Sequence, residues 1–329
     1  MKKIGLVLVG ILLVLVFWQF DFLSFINSMS QVSLLAFILL LILQIISQLL
    51  VNYQWCRIAR NIGGEYNFFK MLYVNSRGSI IDSITPGVKV GGELTRAVLL
   101  KNELNYSTQE AATLVSIQKM VSFSSFFTLN LFAFAHLSGE IEIFQNIVLK
   151  IVVYSFLIVI ITSLIAMFAW TSFLENKIIK LVPKSKWTSV LHRYMLTLLA
   201  NIKALKGIKG EMYKQFLLSL SIWVLFPLKM ILLVNLFTAN YDWIFLSEVT
   251  YISYMMGMIP ILPGGLGSFE GTMTSLLILM ELNSSEALAI TILFRFITFW
   301  FVILLSLLYA FIWKMGGMKS GICKTKAST

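Results

Sequence analysis

The sequence predicts an all-α polytopic membrane protein: six transmembrane helices plus two re-entrant helical hairpins, set in an inverted-topology repeat. Three observations predict it. The chain is 58% hydrophobic and only 12% charged, with a mean hydropathy of +0.87, which no ordinary soluble domain of this size shows. Its lysines and arginines crowd alternate connections and avoid the others, as in helical membrane proteins whose cytoplasmic loops carry the positive charge. And one polar pattern occurs twice. Pro86-Gly87-Val88-Lys89-Val90-Gly91-Gly92-Glu93 is echoed by Pro263-Gly264-Gly265-Leu266-Gly267-Ser268-Phe269-Glu270, with the glutamate seven positions after the proline in both.

Taken in order, residues 4–21 make the first expected span. They follow Lys2 and Lys3 as a signal peptide would, but Trp18-Gln19-Phe20-Asp21 offers no small-residue cleavage site, so an uncleaved helix is expected. The second span, 31–54, runs into Arg57, Arg60 and Lys70. Segment 66–104 holds the first copy of the polar pattern. Residues 108–136 and 144–172 form spans three and four, joined by a turn that contains Glu140 and Glu142 but no cation. The connector 173–214 carries nine lysines and arginines against Glu175 and Glu211. It reads as an amphipathic surface helix on anionic headgroups, with a partner-docking site as the alternative. Spans five and six, 215–238 and 286–313, flank segment 243–282, which holds the second copy. Lys314, Lys319, Lys324 and Lys326 follow. All of 1–329 is expected to be one integral membrane domain, with repeat 1 at about 31–172 and repeat 2 at about 215–313.

The charges decide how the two pattern segments run. Six spans with both termini cytoplasmic put every basic connection on one face, whereas a simple crossing at 243–262 would carry the C-terminal lysines to the other. Each segment is therefore expected to enter and leave by the same face, the first from the cytoplasm and the second from the opposite side. A half-helix of about 12 residues, rising 1.5 Å per residue, covers roughly half a membrane. Pro86, Gly87, Gly91 and Gly92, and Pro263, Gly264, Gly265 and Gly267, supply the breaks. Ser107-x-x-Glu110 matches a capping box and Asn283-x-x-Glu286 resembles one, marking where the next spans start. Irregular backbone at membrane depth must be satisfied by protein or trapped water, so the hairpin tips are expected to face one another or a cavity.

The formal charge of +11 belongs to the membrane-facing basic loops, not to nucleic-acid binding. Cys56 and Cys323 are expected as free thiols. His136 and His192 lack a Cys/His cluster, so neither a metal site nor any other cofactor is expected. Glu93 and Glu270 are the leading site candidates, each in the first turn of a returning half-helix, where a carboxylate also complements the helix dipole. Arg96 stands three residues after Glu93, within reach of a local salt bridge. Lys119 lies 26 residues after Glu93 and Arg295 lies 25 after Glu270, so one cation follows each acid into the next span. Lys229 is a third cation inside a span. Arg77 and Asp82 fall on the first helix of hairpin one, where Arg77 is expected to line a polar entry. Free amides beside Gly91, Gly92, Gly264, Gly265 and Gly267 can hold a phosphate oxygen; close packing is the alternative reading.

These residues resemble a known family. Pro86-Gly-x-x-x-Gly-Gly-Glu93-x-x-Arg96, followed by Pro260-x-x-Pro263-Gly-Gly-Leu-Gly-x-x-Glu270 and the trailing Arg295, is similar to the signature of the flippase-like transmembrane family. This is the membrane half of lysylphosphatidylglycerol synthase/flippase proteins. The resemblance covers nearly the whole chain and implies movement of a lipid headgroup between leaflets of the cell membrane. Glu93, Arg96, Glu270 and Arg295 match the family's polar positions. The soluble aminoacyl-transfer domain is missing from this sequence, so lysyl transfer is not expected of it. The expected substrate is a phospholipid or polyprenyl-phosphate-linked lipid whose anionic phosphate meets Arg77, Arg96, Lys119 and Arg295. Two other classes stay open: a membrane-embedded enzyme acting on lipid phosphates or glycans, and a scaffold for a lipid-modifying or glycosyltransferase partner.

Overall fold

A computed structural model describes residues 32–324, apart from 63, 86–89, 182–185, 239–240 and 260–262. The expected span at 4–21 lies outside the described residues, as do Pro86 and Gly87. Every regular element among the described residues is helical.

Helix α1 (Leu34–Asn61) is followed by the pair α2 (Phe68–Ile84) and α3 (Val90–Leu104), then by the long α4 (Thr108–Glu140). Helix α5 (Ile147–Ala169) leads to the connector helices α6 (Thr171–Ile179) and α7 (Lys186–Gly207). The second half repeats the order: α8 (Glu211–Val234), the pair α9 (Trp243–Gly257) and α10 (Ser268–Ile278), then α11 (Ser284–Arg295). Helix α11 continues through a π-helical turn, Phe296–Trp300, into α12 (Phe301–Lys324). Among the described residues five rods are long and apolar enough to cross a membrane: α1, α4, α5, α8 and the composite Ser284–Gly316. The four helices of the two pairs have 17, 15, 15 and 11 residues, fewer than the ~20 a perpendicular crossing needs.

Local chemistry sets the element ends. Ser107 Oγ accepts from the Glu110 amide at 3.2 Å while Glu110 accepts from the Ser107 amide at 2.9 Å, the reciprocal cap that the spacing predicts. Asn283 occupies the cap position of α11 but makes no side-chain cap bond. The pairs begin with caps the sequence reading did not single out: Asn67 accepts from Phe69 and Lys70, and Asp242 accepts from Ile244 and Phe245. Four spans run beyond the expected limits: α4 to Glu140, the composite α11–α12 from Ser284 to Lys324, and both α1 and α8. Helix α1 runs to Asn61 and α8 begins at Glu211, and Arg57 ties the two together by gripping both oxygens of Glu211, at 2.7 and 2.8 Å. In the turn between α3 and α4, Tyr106 donates to the Glu65 carbonyl at 2.6 Å, and burial raises its hydroxyl pKa above the usual phenol value.

Two hydrophobic cores form, one around each helix pair. The first gathers the end of α1, helices α2 and α3, Ala111 to Val121 of α4, and Leu198, Ile202 and Leu205 of α7. The second gathers α8, α9, α10, α11 and Phe126 to Leu137 of α4. The two pairs are thus set toward opposite ends of α4. Within each half, the second arm packs on the rod that follows it, α3 on α4 and α10 on α11. The first arm packs across on the other half, α2 on α12 and α9 on α4. Tyr73 stacks on Trp313 at 5.6 Å, and the Tyr309 hydroxyl donates to the Phe69 carbonyl at 3.1 Å.

The connector departs from its expected role. The apolar stripe of α7 is buried against the first core instead of lying free on lipid. Asn201 donates to Thr113 at 2.8 Å, and Tyr194 pairs with Ser116 at 2.6 Å. An apolar stripe on a helix fits a protein face as well as a bilayer, and here α4 supplies the face.

Candidate functional site

The break in the second pair is glycine-built. Pro263–Gly265 makes a single 3-10 turn, and Gly264, Gly265 and Gly267 have φ of 68°, 70° and 82°. That left-handed region strains any residue with a Cβ. At Gly265 a Cβ would also run into the backbone carbonyl of Gly257, so the turn is pinned against the end of α9. This turn packs on α2, so the break of the second pair meets the first pair.

From this turn the site assembles outward. Glu270, in the first turn of α10, accepts from the Gly267 amide at 2.7 Å through one oxygen. Its other oxygen stands 2.8 Å from Nε of Arg295. The alignment is not that of a hydrogen bond, so the contact is charge pairing. Arg295 also donates to the Gly264 carbonyl and lies between the rings of Phe269 and Phe299, at 4.6 and 4.2 Å. Only 6% of Arg295 is exposed. A carboxylate, a carbonyl and two ring faces together compensate a buried guanidinium that would otherwise cost several kcal/mol.

The first pair carries the matching constellation. Glu93, in the first turn of α3, forms an ion pair with Lys119 of α4, and Lys119 sits over the Phe123 ring at 4.6 Å. Each cation that the repeated spacing places after an acid therefore contacts that acid. In each, the returning arm is tied to the next rod of its own half. The first pairing is more open, with side chains 25% and 21% exposed against 22% and 7% in the second.

Three sequence-based expectations need correction. Arg96 does not pair with Glu93; it reaches back across the break to Asp82, at 3.0 Å, and to Ser79 at 3.4 Å. Arg77 is exposed on α2 and is not one of the partners in these ion pairs. Gly91 and Gly92 lie inside the first turn of α3 instead of before it. Gly92 serves close packing: a Cβ there would strike the Asp82 carboxylate and the Gly78 carbonyl. Two of the five amides expected to hold phosphate are engaged within the protein, Gly92 with Asp82 Oδ1 at 2.9 Å and Gly267 with Glu270.

Asp82 is thus the organiser of the first pair, and its position on the first arm gave no pairing signal. Lys229 is fully buried in α8 and donates to Gln44 and Ser47 of α1, lying 4.2 Å from the Phe226 ring centre. Its partners are neutral, so it does not neutralise an acid. Glu248 of α9 pairs with His136 of α4 at 2.9 Å. Among the described residues no cluster of His, Cys, Asp and Glu has the makings of a metal site.

A family model described as "Lysylphosphatidylglycerol synthase TM region" matches residues 3–306. A UPF0104 membrane protein of Methanothermobacter thermautotrophicus is 23% identical over 278 residues, covering 79% of this chain and 80% of that protein. A UPF0104 membrane protein of Pyrococcus horikoshii is 22% identical over 323 residues, covering 93% of this chain and 96% of its own length.

Proposed function

The chain belongs to the family of lysylphosphatidylglycerol synthase transmembrane regions, and from that premise we propose that it moves a lipid headgroup between leaflets. The two helix pairs act as re-entrant hairpins entering from opposite faces, and both termini are cytoplasmic. The observation that carries this reading is the duplicated ion pair. Each returning arm places a carboxylate against a cation on the next rod, Glu93 with Lys119 and Glu270 with Arg295. Inside a membrane protein such ionisable groups are costly and mark substrate paths, and two of them at an inverted-repeat interface match the general location of transporter sites.

The pairs define what the substrate must bring. A lone phosphate meeting Arg295 leaves Glu270 without its partner, a loss of about 3–5 kcal/mol for a buried pair. A headgroup with both a phosphate and an amine replaces both halves at once, phosphate to Arg295 or Lys119 and ammonium to Glu270 or Glu93. Zwitterionic phospholipids therefore fit better than purely anionic ones. The acyl chains stay in the bilayer while the two halves alternate access. No nucleotide-binding loop is recognisable in the sequence, so an ion gradient or the lipid gradient itself drives movement.

The test is quenching of an acyl-chain-labelled phosphatidylethanolamine, whose amine stays free, in proteoliposomes. Wild-type protein is expected to expose about half of the inner-leaflet probe to the quencher, the equal partition that translocation in both directions approaches. A Glu270→Gln/Arg295→Ala double variant with a wild-type elution profile is expected to expose none. Equal translocation by the two proteins would overturn the proposal.

A further inference from the structure

Glu248 has no part in the ion pairs described above, yet it is one of the most buried acids in the protein. It is 4% exposed, on the first arm of the second pair. One carboxylate oxygen meets His136 Nδ1 at 2.9 Å. The other is buried and has no hydrogen-bond partner. A buried carboxylate oxygen without a donor is a costly arrangement that a bound cation or proton relieves. His136, by contrast, has 48% of its side chain exposed, so the pair runs from solvent to core in a single hydrogen-bond step.

The surroundings favour cations. The charged groups acting on the pair are Glu140, on α4, and Asp242, which caps α9. Both are exposed acids. The other elements packed on α4 and α9 bring no competing cation into contact with Glu248. Lys229 of α8 is held by Gln44 and Ser47, Arg295 of α11 by Glu270, and Lys119 lies toward the far end of α4. Helix α10 offers Glu270, the short turn Glu142–Gln145 adds Glu142, and α5 adds Lys150 and Tyr154, whose hydroxyl is on Ser138. Two further buried oxygens without partners stand on the same two helices, Asn130 Oδ1 and Ser253 Oγ. By helical rise they lie roughly 9 Å and 7 Å further in than His136 and Glu248.

We propose that His136 and Glu248 form a binding site for a monovalent cation, a proton or a sodium ion, on the face opposite the basic connector. For a proton, the imidazole takes one from hydronium at the aqueous face on its outer nitrogen and releases one from Nδ1 to the facing Glu248 oxygen, which neutralises the whole carboxylate, the unpartnered oxygen included; tautomer exchange resets the ring. For sodium, the unpartnered carboxylate oxygen is the principal ligand. That this cation drives lipid movement rests on the transport reading above; that the site binds it does not.

The experiment uses the full chain in phosphatidylcholine nanodiscs, where no lipid movement is scored. A protonated-carboxyl band in pH-difference infrared spectra, absent in Glu248→Gln, identifies the proton. Retention of radioactive sodium by wild type and not by Glu248→Gln identifies sodium. Absence of both signals overturns the site. Should Glu248→Gln fold poorly, His136→Ala, altered at a half-exposed position, decides. It is expected to move the band's midpoint or the sodium affinity by about tenfold, and an unchanged value overturns the pairing.

Discussion

Glu270→Gln separates charge from shape at the second hairpin. The amide oxygen of Gln can still accept from the Gly267 amide, so the helix start survives and only the charge is lost. At 2.8 Å and an effective dielectric of about 20, the attraction is on the order of 6 kcal/mol before desolvation is subtracted. Removing one partner leaves Arg295, 6% exposed, with only the Gly264 carbonyl and the rings of Phe269 and Phe299. Such losses run to about 3–5 kcal/mol, and the partial exposure of Glu270 places this one near 3. The same change at Glu93, in the more open pair, is expected to cost about 1 kcal/mol. Arg295→Met alone costs about as much as Glu270→Gln, but the double variant costs clearly less than their sum. The assay is reversible unfolding in mixed micelles titrated with dodecyl sulfate and followed by tryptophan fluorescence. Additive losses in the double variant, or a larger loss at Glu93 than at Glu270, would refute the claim that a buried charge pair closes the second hairpin.

Two further predictions use the same unfolding assay. Gly265→Ala combines a left-handed φ with a collision against the Gly257 carbonyl, so a loss of at least about 2 kcal/mol is expected; Gly271→Ala, on α10 with open space around its Cβ, should be neutral or gain up to about 1 kcal/mol. Arg57→Ala strands Glu211, whose side chain is 4% exposed, and should cost about 3 kcal/mol; a second change, Glu211→Gln, should restore part of it, and failure to do so would mean that the loss came from packing.

Duplication made the members of the central pairs legible. The repeat placed one cation at nearly equal spacing after each acid, Lys119 after Glu93 and Arg295 after Glu270, though spacing alone did not say that each would contact its acid. The partner of Arg96 was not legible. Three residues of helix separate it from Glu93, whereas Asp82 becomes its neighbour only once the break folds α3 back along α2, and no local pattern encodes that contact. Helix α7 shows another limit: an amphipathic stripe specifies an apolar neighbour but not whether it is lipid or protein. The side of α2 on which Arg77 falls depends on α3 and α12 arriving from elsewhere. The caps at Asn67 and Asp242 had a signal, since each is a short Asx side chain just ahead of an apolar run in matching halves. Lys229 had none, because its acceptors on α1 are neutral residues such as Gln44 and Ser47.

The crossing of the first arms between halves governs how the molecule is made. Helix α2 is synthesised early, but its seat on α12 exists only when the last rod emerges. Contacts so distant in sequence close slowly. During that delay the first pair, with Asp82 and Arg96, lacks the packing that α12 supplies, and incompletely packed apolar surface is prone to misassembly. A ribosome stalled before α12 should therefore yield a product that is inserted yet protease-sensitive around the first break.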